Sequence, residues 1–276
     1  MFEEVFLFVF GLIFILIATM QDLKEKEVDN WISFSLIIFA LGFRFFYSLF
    51  GGKGFEFFYM GLFGLGVFFI LGNVFYYSRI FAGGDAKLMI ALGTILPLSV
   101  SFYENIKYFM FFILIFFVIG AFYGLLGSFI LMFKNLRNFN KQFKKEFRKN
   151  KNKIFLVMFL GLFFMILGFQ YFLFIVIGIF IFVSPYLFVY SKAIEESAMV
   201  SKIRTSKLRE GDWLYARVKL GKGYLEPNWD GLTKDQIKKI KKQHKFIKIK
   251  QGIAFVPVFL ISFIIYFIVG KYLYTF

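Results

Sequence analysis

Val5-Phe6-Leu7-Phe8-Val9-Phe10-Gly11-Leu12-Ile13-Phe14-Ile15-Leu16-Ile17-Ala18-Thr19-Met20-Gln21-Asp22 is an unbroken apolar run that ends on a carboxylate. A span needs about 20 apolar residues to cross the hydrocarbon core, and residues 2–21 supply them. A carboxylate at the edge of that phase is costly and usually functional. Both readings extend outward. Of 276 residues, 59% are hydrophobic and 24% aromatic, with Phe alone at 47. A soluble chain averages about 45–50% apolar, so lipid is the solvent for most of this one.

Further spans are expected at 31–50, 55–78, 85–102 and 106–133, with a last one at about 252–275. The apolar stretch 154–190 is too long for one crossing, since some 37 residues would reach about 55 Å. Gly168-Phe169-Gln170-Tyr171 offers a place for it to turn back. Charge supports that folding. Residues 134–153 hold nine Lys and Arg, and 191–251 hold sixteen. A hairpin at 154–190 keeps both blocks on one side, together with Lys24, Lys26, Arg79 and Lys87, and leaves the other side mainly Lys53, Lys107 and Lys271. That partition obeys the positive-inside rule, and it sets both termini outside.

The expected fold is therefore all-α and polytopic, with six to eight transmembrane helices, eight favoured, and a small α+β cytoplasmic module. The organisation reads as a membrane core at 1–133, a basic cytoplasmic loop at 134–153, an extra helical hairpin at 154–190, the module at 191–251 and a last helix at 252–276. Within the module, Arg209 to Leu214 suggests a turn followed by a short strand, and Asn228-Trp229-Asp230-Gly231 a second turn. Thr233 would cap a helix starting at Lys234. Met1-Phe2-Glu3-Glu4 lacks the basic start of a signal peptide, so the first run reads as a retained helix.

Several function classes fall away. The net charge of +16 is clustered, which in a membrane chain points to topology and to anionic lipid headgroups, with no nucleic-acid partner expected. There is no cysteine, and the single histidine, His244, lies in a solvated basic run. A serine–histidine triad, a multi-histidine metal site or a thiolate zinc site is not expected, and no cofactor is implied.

Only six aspartates exist, and two border the membrane: Asp22, and Asp85 in Phe81-Ala82-Gly83-Gly84-Asp85-Ala86-Lys87-Leu88. On the charge-derived topology both face the cytoplasm. Two carboxylates sharing a proton can activate water and polarise a carbonyl. Asp22 ends its helix and Asp85 opens the next, so the helix dipole assigns the proton to Asp22 and the charge to Asp85. Gly83 and Gly84 would let a substrate backbone come close, and Lys87 would snorkel, pair with Asp85 or bind lipid phosphate. The local sequence also fits a plainer reading in which Asp85 is an N-cap. Asp29-Asn30 reads as a cap of the second span. Gly61, Gly64 and Gly66 would allow close helix contact, and Arg44 would snorkel or touch a neighbouring helix. A proton- or cation-coupled transporter using Asp22 and Asp85 is the alternative, although neither aspartate lies near the midplane.

Three stretches together resemble the prepilin peptidases, membrane aspartic proteases of the GxGD type, and above all their archaeal preflagellin and prepilin branch. They are Gln21-Asp22-Leu23-Lys24 through Glu27-Val28-Asp29-Asn30-Trp31, then Gly83-Gly84-Asp85-Ala86-Lys87-Leu88, then Gly252 to Leu260. Glu210-Gly211-Asp212 and Gly231-Leu232-Thr233 are also similar to the archaeal module. Ala82 replaces the first glycine of GxGD, Asp29 the usual proline before Asn30, and Ala254 a proline of the last motif. The stretch 154–190 exceeds the family's six-helix plan, and the cysteine zinc module of the bacterial branch is missing. The resemblance implies an endopeptidase of the cell membrane with Asp22 and Asp85 catalytic. Its partners would be preflagellin or prepilin precursors, whose short basic leaders are cut at the cytoplasmic face.

Overall fold

The computed structural model describes all residues except 1, 53, 169, 170, 222 and 274–276, and the side chains of 271–273 are also left aside. Lys53, Lys271 and the centre of the expected turn, Phe169-Gln170, therefore lie outside the described residues.

The chain is a polytopic membrane protein with a small sheet-containing part, and it divides into two compact units. Met1–Leu125 with Ile253–Phe276 form the first. It holds α1 (Phe2–Glu25), α2 (Asn30–Phe50), α3 (Glu56–Tyr77), α4 (Gly83–Leu92), most of α5 (Phe102–Lys134) and α10 (Val256–Leu273). Its core is aromatic and aliphatic: Phe68, Phe112, Phe116, Phe259 and Phe263 are buried among Leu7, Ile15 and Leu36. Among the described residues, five helices are long and apolar enough to cross a membrane, or six if the bent pair α6–α7 counts as one.

That count meets the lower end of the six to eight expected, and α4 accounts for one of the spans short of eight. The span foreseen at 85–102 is helical only to Leu92; its 10 residues reach about 15 Å. Gly93 and Pro97 stop it, and a turn over 93–95 followed by irregular chain leads on to α5. Bare backbone inside a bilayer must find partners within the protein, and here nearly every group does. Arg44, 1% exposed, donates from Nε to Thr94 O at 2.8 Å and from its terminal nitrogens to Phe57 O, Ile95 O and Pro97 O at 3.0, 3.3 and 2.7 Å. Tyr266 donates to Leu96 O at 2.6 Å. Asn105 Oδ1 accepts from the amides of Leu98 and Ser99, and its Nδ2 donates to Ser99 O. Arg44 thus does not snorkel; it touches the neighbouring α3 at Phe57, as one of the two expectations had it, and also closes the end of α4.

Gly61 and Gly64 serve the close packing expected of them. A Cβ on Gly61 would lie 2.5 Å from Arg44 Cδ, and one on Gly64 would run into the backbone of Gly93. Gly66 has nothing within 4 Å of that position.

The second unit is Leu126–Gly252. The basic stretch 134–153 is helical over α6 (Leu136–Lys149), because Phe139, Phe143 and Phe147 recur every four residues. Phe139 and Phe147 pack on Tyr190 and Tyr186, with ring centroids 5.6 and 6.2 Å apart. A bend of 77° leads into α7 (Lys151–Leu167), which packs against α8 (Phe172–Ile194) where Gly161 and Gly178 bring the backbones together. After a π-helical turn at Glu195–Met199 comes the module. Strand β1 (Val200–Arg204) pairs antiparallel with β5 (Phe246–Lys250), which also pairs with β2 (Trp213–Leu214). Strands β3 (Val218–Leu220) and β4 (Gly223–Leu225) form a separate hairpin. Helix α9 (Lys234–Gln243) starts at Thr233, whose side chain and that of Gln236 make a reciprocal capping box.

Candidate active site

Asp22 lies in the last turns of α1, 6% exposed. The turn closes behind it as the Lys26 amide bonds to Asp22 O at 2.8 Å with Lys26 at φ 59. Asp85 lies in the first turn of α4. The N-cap position belongs to Ala82, so Asp85 is not the cap; its carboxylate reaches back to the Ala82 amide. The two carboxylates are near enough to interact electrostatically, so the fold brings both sequence candidates together. Asp85 is half-buried while Lys87, two residues on, is exposed.

A third element was not foreseen. The Val256 amide donates to Asp22 Oδ2 at 2.9 Å, with the Phe255 amide acting on the same carboxylate. Val256 is the first residue of α10, so Asp22 sits at the C-terminal end of one helix and on the N-terminal end of another. The second dipole opposes the first, which removes the helix-dipole basis for assigning the shared proton to Asp22. The motif at 252–260 carried this contact in the sequence, but nothing local to it named Asp22 as its partner. Tyr123 of α5 also lies within electrostatic reach of Asp22.

Around the pair, the 26–30 loop is fixed by its own polar contacts. Asp29 sits at the N-cap of α2 without capping it through its side chain. Its carboxylate instead accepts from Gln21 Nε2 at 2.6 Å, while its amide donates to Gln21 Oε1 at 3.0 Å. Lys87 donates to Asn30 Oδ1 at 2.6 Å, tying α4 to the start of α2. Gly83 and Gly84 do not use positive φ. Their lack of side chains leaves an open step instead: a Cβ on Gly84 would meet only Val28, at 3.5 Å, and one on Gly83 only the Tyr76 ring, at 3.8 Å. No group of three or more His, Cys, Asp or Glu that could hold a metal occurs among the described residues.

Such an arrangement can hold a water between two carboxylates in a protected place. The known proteins this chain is similar to have matching names. It is 27% identical over 161 residues to the preflagellin peptidase of Methanococcus maripaludis, covering 56% of this chain and 66% of that protein. To the preflagellin peptidase of Methanocaldococcus jannaschii it is 32% identical over 90 residues, covering 33% and 38%. To that of Methanococcus voltae it is 28% identical over 136 residues, covering 46% and 57%. The chain thus spans just under two thirds of the first relative and less of the other two. No solved structure is significantly similar. None of these likenesses supports a transporter. Residues 9–125, the segment that carries both aspartates, match the model of the type IV leader peptidase family.

Proposed function

We propose that the chain is an aspartic endopeptidase of the cell membrane that removes short basic leaders from preflagellin-like or pilin-like precursors at the cytoplasmic face. The observation that carries the reading is the approach of Asp22 and Asp85, drawn from two separate helix ends, with Asp22 buried and Asp85 half-buried. Names of the related preflagellin peptidases support the substrate class.

The pair shares one proton and titrates as a unit. The ionised member takes a proton from water as its oxygen bonds to the scissile carbonyl carbon, while the protonated member donates to the carbonyl oxygen. Collapse breaks the C–N bond, and the amine leaves with the proton the base had collected. Amides of α10 hold Asp22 in place through these charge changes. Gly83 and Gly84 leave room for an extended chain to approach Asp85. Lys87, bonded to Asn30, braces α4.

Cleavage of a precursor with a basic leader before an apolar helix tests this, using membranes carrying wild type, Asp22→Asn or Asp85→Asn. Each variant should lose activity by about 10²–10⁴-fold. Either variant cutting at near-normal rate would end the dyad mechanism, and a folded wild type that cuts no such precursor would end the peptidase reading.

A further inference from the structure

Gly66 is an anomaly in α3. Glycine weakens a helix relative to alanine, and Gly61, Gly64 and Gly72 each repay that by letting another part of the protein come close. Gly66 touches nothing. Instead it lines a cavity of about 850 Å³ between α2 and α3, floored by α4.

The shape and position of this cavity narrow what it holds. Along α3 it runs from Leu62 to Tyr77, about 22 Å at 1.5 Å per residue. It is therefore a groove along the span, and its volume over that length gives about half the cross-section of a helix 10 Å wide. Its walls are apolar for most of the length, with Ile37 on one side and Phe69 on the other. Polar groups gather at one end only: Tyr76 and Tyr77 from α3, Lys87 from α4. Gly83 lines the same end. A chain leaving the groove there crosses the bare Gly83–Gly84 step to reach the opposite face of α4, where Asp85 stands.

We infer that this groove seats the apolar helix of the substrate, and that Gly66 is a specificity-determining residue because it keeps the groove open. The inference rests on the leader-peptidase reading and adds to it where the membrane part of the precursor binds. Helix-in-groove recognition suits a precursor whose cut lies just before an apolar helix. The helix lies half in the groove and half in lipid, and its leader is carried over the glycine step to the aspartates.

The matched test uses two glycines. Gly42 of α2 also has nothing within 4 Å of its Cβ position, and it does not line the groove. Full-length Gly66→Phe and Gly42→Phe proteins in liposomes are compared with wild type on a precursor that keeps its apolar helix. Gly66→Phe should raise KM and lower kcat/KM at least about tenfold, the scale of a blocked apolar subsite, with little change in kcat. Gly42→Phe should match wild type. A photo-crosslinker placed at Phe69 in an Asp85→Asn background should capture the precursor's apolar helix, a readout that does not depend on how Gly66→Phe folds. Equal kinetics for both glycine variants, or crosslinks to lipid alone, would overturn the inference and leave the peptidase reading standing. A wild type that cuts no precursor removes that reading and the groove's role with it.

Discussion

The two ends of α4 are built to opposite rules. At its C-terminal end, four carbonyls are taken by one guanidinium, a fifth by Tyr266, and the neighbouring amides by Asn105. At its N-terminal end two carboxylates lie within electrostatic reach of each other, and two glycines leave a step without side chains. One end uses its polar groups to hold the chain; the other, on the function proposed above, keeps them for chemistry. Like charges brought together lower stability, so a carboxylate pair kept in the membrane is costly for the fold. The closed end supplies the rigidity that lets the open end persist.

Arg44→Met would break the comparison most sharply. It leaves the carbonyls of Thr94, Ile95, Pro97 and Phe57 without this donor in a buried setting, where each unmet group costs about 1–3 kcal/mol. Some relaxation will recover part of that, so a loss of about 3–5 kcal/mol is expected in denaturation of the detergent-solubilised protein. Arg44→Lys should fall between, since an ammonium cannot fork across separated carbonyls. Asp85→Asn should do the reverse: it replaces one of two carboxyls competing for a single proton with a neutral amide, so it should melt at or above the wild-type temperature while losing activity. If Arg44→Met melts like wild type, the closed end is not what holds α4.

Gly93→Ala tests the same end through packing. Its Cβ would lie 2.5 Å from Gly64 O and 2.6 Å from Phe68 Cβ, so α3 and α4 must separate. Overpacking of this kind costs about 1–3 kcal/mol. Gly66→Ala, on the open face of α3, should instead gain up to about 1 kcal/mol from helix propensity. Equal melting of the two would mean that the Gly64–Gly93 approach is loose.

What the sequence made legible follows the same division. Asp22 and Asp85 stood out because each interrupts an apolar run, a local signal. The capping box at Thr233 was half visible: the threonine was read, and Gln236 completes it three residues later. Helix α6 had its Phe139–Phe143–Phe147 spacing in plain view, but its lysines drew the reading toward a loop. The shortness of α4 was signalled by Gly93 and Pro97, yet the apolar composition through Phe102 hid it. Arg44, Val256 and Tyr123 could not be assigned by such means. Their partners lie far off in the sequence, and only the packed core decides which carbonyl meets the guanidinium or which amide meets Asp22.

Helix α10 joins the two ends of α4, and the smallest effect tests that link. Its first residue, Val256, donates to Asp22, and Tyr266, ten residues on, donates to Leu96 O at 2.6 Å. Ten residues of helix span about 15 Å, which is also the length of α4. Tyr266→Phe removes one hydroxyl from a buried site and should cost about 1 kcal/mol, near the low end for an unmet carbonyl, because the ring and its packing on Phe112 remain. If α10 acts as a strut, the loss will also reach the aspartates: kcat should fall several-fold with KM unchanged, although the altered atom is about 15 Å along the helix from Val256. A variant that loses the expected stability but keeps full kcat would show that the two ends of α4 are held independently.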